Sequence, residues 1–510
     1  MMRLLTGAAV AVPALLPAVA AAQTMDHAMP GMTMPMSPPH KRTTPPKHVA
    51  QPAHAPVHQT TPTKAAPRPA APDTTPDTRA PAPPLSAPGA MPAMTMPVAP
   101  APTARDPMPG MTMPAAAQPD EMTAMPGMVM ASGTSAEGSG TARNPGAEGM
   151  MRGLHLATGD WMVMLHGYAF ATYTDQGGPR GRDMAFVTSM AMLSAAHDLG
   201  TTTHLQLRTM LSLDPLIGPR GYPNLFATGE TANGRDPLID RQHPHDLFME
   251  LSARIDRDVA PGASLFLYGG PVAEPALGPS AFMHRASAEY QPLSPITHHW
   301  FDSTHISYGV VTGGVSTTHW QIEASGFRGR EPDQHRWNIE TPGLDSWSIR
   351  ATWNPNAHWS AQVSHGHITS PEQLEPFTDE ARTTASVQYA DGSVSALAAF
   401  SAKNKQPGRT LTAFLGEVNW DFSTTQTLFG RVENVANDEL FPDATSPLHG
   451  ENFRISLFEA GYAHRLRLTR GTGVALGGAL GIYAKPAALD AAYGRFPVSA
   501  SVFAKFMLGQ

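Results

Sequence analysis

From Asp246 to Asp256 polar and apolar positions alternate without a break. Leu247, Met249, Leu251, Ala253 and Ile255 fall on one side; Asp246, Phe248, Glu250, Ser252, Arg254 and Asp256 fall on the other. A period of two puts these sets on opposite faces of a strand, one apolar and one bearing four charges. The same texture recurs downstream. His204, Gln206, Arg208 and Ser212 alternate with Leu205, Leu207, Leu211 and Leu213, and Ser346, Ser348, Arg350 and Thr352 with Trp347, Ile349, Ala351 and Trp353. Ser360, Gln362 and Ser364 alternate with Trp359, Ala361 and Val363; Phe429, Arg431 and Glu433 lie opposite Leu428, Gly430 and Val432; Ser499, Ser501 and Lys505 lie opposite Val498, Ala500, Val502, Ala504 and Phe506.

Further strands are predicted at 161–173, 184–197, 263–270, 281–291, 304–313, 317–328, 381–391, 392–402, 410–421, 453–466 and 472–484. The total is near sixteen, each roughly 8–13 residues long, a length that suits tilted membrane strands. Asp391-Gly392 is a hairpin signal, and 214–245 and 435–452 are long enough to be outer loops. Aromatics near strand ends (Trp161, Trp300, Trp320, Trp337, Trp347, Trp353, Trp359, Trp420) suit interfacial girdles. A soluble sandwich or propeller would bury the apolar faces and wet the charged ones. A membrane barrel would do the reverse, showing lipid the apolar face. The expectation is an all-β fold, an antiparallel transmembrane β-barrel of about 14–16 strands over residues 154–510.

Composition divides the chain. Of 510 residues 51 are Pro, concentrated in the first third, and none is Cys; this removes disulfides, thiolate metal sites and a lipidated cysteine. Arg3, the apolar run Leu4 to Val19 and Ala20-Ala21-Ala22 read as a signal peptide over 1–22, with Pro13 and Pro17 opposing a spanning helix. Residues 23–153, rich in Pro, Ala, Thr and Met and almost without aromatics, are expected to be disordered in the periplasm. The net charge of −7 gives no reason to expect a nucleic-acid partner. The cell outer membrane, with its lipid, is the expected location.

The methionines of this leader are clustered: Met25, Met29, Met32, Met34 and Met36 with His27; Met91, Met94 and Met96; Met108, Met111 and Met113; Met122, Met125, Met128 and Met130. Met-Pro-Gly-Met begins at Met29, Met108 and Met125. Thioethers are soft ligands that favour Cu(I) over Zn(II) or Ca(II). The clusters resemble those of the proteobacterial copper resistance protein B family, which pairs a Met/His-rich leader with an outer-membrane barrel. That resemblance implies a copper ion as cofactor or cargo, copper binding or export in metal tolerance, and periplasmic copper proteins as partners. A spacer of drifting composition is the other reading of the leader.

Polar clusters in the barrel region carry the remaining candidates: Asp240, Arg241, His243, His245 and Asp246 before the first strand described, then His298, His299, Asp302 and His305. His243/His245 and His365/His367 are spaced to share a face, and imidazoles so placed beside carboxylates can ligate Cu(II), Zn(II) or Ni(II). A cross-linked lumenal network of mutually satisfied groups is the alternative. The segments DRQHPHDLFMEL, HHWFDSTHISYGVVTGG and GFRGREPDQHR also resemble uncharacterised proteobacterial proteins encoded near metal-resistance genes. The rival functions are a general porin or structural barrel with a spacer leader, and a barrel lipid hydrolase using Ser303 with His305 or Ser287 with His284. No ordered triad is apparent, and the expectation is that the protein is not an enzyme.

Overall fold

The computed structural model describes residues 133–509. Sixteen long antiparallel strands close into one barrel. They are β1 (Trp161–Gln176), β2 (Asp183–Asp198), β3 (Thr203–Leu211), β4 (Phe248–Ala260), β5 (Ala263–Ala273), β6 (Ser307–Thr317), β7 (Trp320–Phe327) and β8 (Ser346–Asn356). The second half is β9 (Trp359–Ile368), β10 (Asp379–Ala390), β11 (Val394–Gln406), β12 (Thr410–Ser423), β13 (Gln426–Asn437), β14 (Phe453–Arg467), β15 (Thr472–Ala484) and β16 (Val498–Leu508). Each strand pairs with its sequence neighbour, and β16 closes the ring on β1 from Ser499↔Gln176 to Met507↔Tyr168. A short strand, Leu154–Thr158, pairs with β1 from Leu154↔Leu165 to Thr158↔Trp161. Closure removes the exposed edges that an open sheet would carry into lipid.

The side-chain distribution decides between lipid and water outside. Leu193, Leu207, Ile255, Leu267, Val311, Ile322, Ile349, Val387, Val432, Leu480 and Val502 are exposed on the outer wall. Their alternating neighbours Arg208, Glu250, Asp256, Glu323, Arg350, Arg382, Lys403, Glu417, Arg431 and Glu433 are all buried. A water-soluble barrel would show the opposite pattern; this one is a transmembrane β-barrel of the outer-membrane type. Exposed Trp320 stacks on Trp353 with ring centroids 5.5 Å apart, Trp359 lies 4.8 Å from Tyr389, and Trp420 5.7 Å from Phe422. All lie beside the short turns and form one aromatic girdle.

Connections alternate in length. Short turns (199–202, 261–262, 318–319, 357–358, 391–393, 424–425, 468–471) share one end of the barrel with the beginning of β1 and the end of β16. The other end carries longer loops, notably 212–247, 274–306, 328–345 and 438–452. In outer-membrane barrels the short turns face the periplasm and the long loops face outward.

Three sequence expectations need correction. The run 281–291 is not a strand; it lies in the loop 274–306 as two 3-10 turns, Phe282–His284 and Ala286–Ala288. That loop folds into the lumen, so its alternating apolar residues meet the wall from inside, and Trp300 is buried there instead of at a membrane interface. β6 accordingly begins at Ser307, with Ser303–His305 forming a 3-10 turn ahead of it. In β4 a register shift pairs Met210 with Glu250 but Leu211 with Phe248. The extra residue, Met249, is thereby buried in a cluster of lumenal methionines and not presented to lipid.

The third correction concerns residues 133–153, which belong to the barrel and not to the leader. Ser135–Glu137 pairs with Arg143–Pro145 as a hairpin inside the lumen. Thr141 Oγ1 donates to Glu323 Oε2 at 2.5 Å, and Arg350 donates to Thr141 Oγ1 at 3.0 Å and to Glu323 Oε1 at 2.9 Å. Thr134 Oγ1 donates to the Thr318 carbonyl in a short turn, so the described chain starts at the short-turn end. The Gly-, Ser- and Thr-rich composition that reads as linker is what a hairpin needs when the wall, not a core of its own, supplies its partners. The signal peptide and the leader methionines Met25 to Met130, with His27, lie outside the described residues.

Candidate functional site

Two long inward loops join the hairpin 135–145 in filling the lumen. Residues 274–306 are clasped to the far wall: Arg285 Nε and Nη2 donate to Glu417 at 2.9 and 3.1 Å, and Nη1 donates to Asp302 Oδ1 at 3.0 Å. Glu433 accepts the Ile296 and Thr297 backbone N–H groups and the Thr297 hydroxyl. Ser401 donates to the Trp300 carbonyl. The second loop, 212–247, brings Leu225 and Phe226 into an apolar core with Ile296, Trp300 and Phe301 against Leu397, Leu411, Leu415, Val435 and Leu457 of β11–β14. Buried charges held this way are stable only because each finds a partner.

Between these loops the chain gathers five imidazoles. His243 lies 5.9 Å from His298 and 6.0 Å from His299, centroid to centroid; His298 lies 5.4 Å from His299 and 5.3 Å from His305; His305 lies 5.3 Å from His245. Carboxylates cap both ends of this chain of rings. His245 Nδ1 is 2.9 Å from Asp214 Oδ2, while His243 Nε2 is 2.8 Å from Glu230 Oε1 and His299 Nδ1 is 3.4 Å from Glu331 Oε2. Loop 328–345 supplies Glu331 and also Arg336, whose guanidinium pairs with Glu230 and with Asp246 Oδ2, the latter at 3.1 Å.

Burial pushes His298 and His305 well below the usual imidazole range, and their neighbouring rings add to the effect. His243 is lowered too, by burial against the pull of Glu230. Burial also opposes charge on His299, yet Glu331 and Glu230 beside it raise it to about 9. Glu230 shows the reverse balance: burial is outweighed by Arg336 and His243, which hold it at about 2.

The sequence candidates divide accordingly. His243, His245, His298, His299 and His305 are brought together, and Asp302 joins them, 3.9 Å from His298 Nδ1. Asp246 touches the group only through Arg336. Asp240 sits elsewhere: it pairs with Arg180 at 2.8 Å, accepts the Phe226 N–H at 2.8 Å and lies 3.3 Å from the Tyr493 hydroxyl. Arg241 donates to the carbonyls of Arg220 and Gly221, 2.6 Å each, and pins its own loop. His365 and His367 do share one strand of the wall, where His365 meets Thr383 and Trp347. Of the serines weighed as nucleophiles, Ser303 accepts from Arg382 at 2.9 Å and Ser287 donates to Glu417 at 3.1 Å.

Glu230, Glu331 and Arg336 escape sequence reasoning, because loop residues far apart in the chain carry no spacing signal. A lumenal methionine wall was missed as well. Met164, Met190, Met192, Met210 and Met249 are buried together, with Met151 and Met283 packed against them. Across four strands His166, Met192, Met210 and Glu250 stand in register. The Met162/Met164 and Met190/Met192 spacings are the available signal, since an i,i+2 pair shares a strand face. Beside the wall lies a cavity of about 200 Å³, lined by Glu148, Met151, His166, Met283, His284 and Lys505 among others.

No protein-family model matches this chain, and no curated protein is found similar to it. Among solved structures it is similar to OmpF of Salmonella typhi in complex with daunomycin, at 9% identity over 69% of this chain and 100% of that one, with a TM-score of 0.46. It is similar also to OprB of Pseudomonas putida (12% identity, 68% and 94% coverage, TM-score 0.43). The anion-selective porin from Comamonas acidovorans is a third (11%, 68% and 99%, TM-score 0.42).

Proposed function

We propose that the protein is a gated outer-membrane channel of porin type, closed by its own loops and opened when they leave the lumen. The observation that carries this reading is the clasp of loop 274–306, fastened to Glu417 and Glu433 by reversible polar contacts within a wide polar wall. A permanently open diffusion pore has no use for a lumen in which Arg285, Asp302 and Glu417 are wholly buried. Single-channel conductance in planar bilayers tests it. The intact protein should be shut most of the time, and shortening loops 212–247 and 274–306 should give steps of the size expected for a sixteen-stranded pore. A shortened barrel that folds but never conducts would reject the proposal.

A second reading, copper as the cargo in metal tolerance, is favoured by the lumenal methionine wall. Barrel interiors are ordinarily polar, whereas this one carries five buried thioethers from four neighbouring strands beside His166. Met also fills irregular cores, so the decisive comparison is copper sensitivity of cells carrying Met192→Leu with Met210→Leu, which keep volume and lose sulfur. Sensitivity with normal barrel levels supports copper passage, and wild-type tolerance argues for the porin reading alone.

A further inference from the structure

We propose that Glu230, His243 and His299 form a binding site for a divalent transition-metal cation of borderline softness, with Zn(II) as the representative probe. One ligand atom from each of the three lies within 4.8 Å of the others, a spread that a bound ion at about 2.0–2.2 Å from each would need to contract only modestly. Imidazole nitrogen with carboxylate oxygen is the donor set that such ions take.

Two further features point to a ligand. His243 Nε2 stands 2.8 Å from Glu230 Oε1, whereas His299 Nδ1 and Glu331 Oε2 are buried 3.4 Å apart without a well-formed hydrogen bond. Buried polar atoms left this way call for a partner. The surroundings also supply an outer layer. Glu331 sits against His299, as carboxylates do behind metal-bound imidazoles, and Arg336 occupies the other oxygen of Glu230. Arg336 pairs with Glu230 and Asp246, and Glu331 faces His299, so the site is rich in carboxylate.

The backbone is shaped to admit the ring. Gly229 has φ +123°, and a Cβ there would fall 2.5 Å from His299 Cε1 and 2.6 Å from Nε2. No larger residue fits between Glu230 and the imidazole. The three ligands come from loops 212–247 and 274–306, so an ion at this point fastens together the two long loops inside the lumen. Binding itself stands apart from whether the barrel conducts, and is tested without a transport assay.

The full chain, folded in detergent, is stripped with a strong chelator, loaded with Zn(II) and dialysed against a weak one, and retained zinc is counted by mass spectrometry. The wild type should keep one more equivalent than His243→Gln/His299→Gln, and its site should bind at least tenfold more tightly. His335→Gln, at an exposed loop histidine, should match the wild type, and comparison within the full chain cancels any zinc held by leader histidines. Heat-modifiable migration on gels reports folding; should the double variant fail to fold, Glu230→Gln provides the same comparison. Equal retention by folded wild type and folded variant, or no retained zinc in the wild type, would overturn the proposal.

Discussion

Arg285 reaches across the lumen to grip Glu417 with two parallel hydrogen bonds of 2.9 and 3.1 Å, both side chains fully shielded from solvent. Glu417 is also held by Arg431 at 3.1 Å, and Arg285 by Asp302 at 3.0 Å, so the loop is bound to β12 and β13 through a chain of alternating charges. Removing one partner of a buried pair typically costs about 3–5 kcal/mol, because the survivor stays buried and unpaired. Arg285→Ala should therefore loosen loop 274–306 while the wall, whose strands keep their ladders, persists. Limited proteolysis is the check: the variant should be cut within 274–306 at least tenfold faster than the wild type, with the barrel fragments remaining heat-modifiable. Unchanged cleavage would mean that the apolar packing of Trp300 and Phe301 alone holds the loop.

How far this was readable in the sequence follows from period and distance. The alternation of Arg208, Arg350 and Glu433 with Leu207, Ile349 and Val432 marks wall strands, because a period-two pattern is local. The infolding of 274–306 is not local: Phe282 and Ala288 look strand-like until Glu417 and Glu433, more than a hundred positions later, capture the segment. The imidazoles at 243, 245, 298, 299 and 305 were visible as two clusters, and only the meeting of two loops shows that they form one. Residues 133–153 failed for a related reason, since their partners Glu323 and Arg350 belong to the wall.

The outer wall carries its own prediction. Ile255 on β4 is flanked across the ladder by Leu205 and Leu267, and all three sit on the lipid side. An Arg at such a position should destabilise by about 2–4 kcal/mol near the bilayer centre. Ile255→Arg is expected to lower the urea midpoint of folding into vesicles, whereas Ile255→Leu should be close to neutral. A neutral result for Arg would place this face in water and undo the assignment of inside and outside.

Acid should tighten the docking of loop 212–247. Burial lifts Asp240 from the usual carboxylate range to about 6, opposed by Arg180 at 2.8 Å. Its folded value is thus raised above its unfolded one, so the stability it contributes is fully present below about pH 4 and is lost as pH rises through 6. A shift of this size corresponds to something on the order of 3 kcal/mol. Hydrogen exchange of the Phe226 amide, which donates to Asp240, should be slower at pH 5 than at pH 7.5 after correction for intrinsic rates. In Asp240→Asn the difference should vanish, and a pH response that survives there would assign it to another group.

The leader can be separated from the barrel only if the cut respects the hairpin. Thr141 and Arg143 fasten residues 135–145 to Glu323, to Ser316 and to the Thr317 carbonyl, so a deletion reaching residue 150 would unseat part of the lumen as well as the methionine clusters. Removing 23–130 takes away all the clustered leader methionines and leaves those contacts intact. Thioethers spaced by one or two residues can wrap a soft ion without any fold of their own, so this deletion should reduce the Cu(I) bound by the full protein, in competition with a chromophoric chelator, by several equivalents. Silver(I), equally soft, should be lost in parallel, and zinc should be lost much less. Cu(I) binding that is unaffected by the deletion would leave the leader as a spacer and confine any soft-metal chemistry to the lumenal wall around Met192 and Met210.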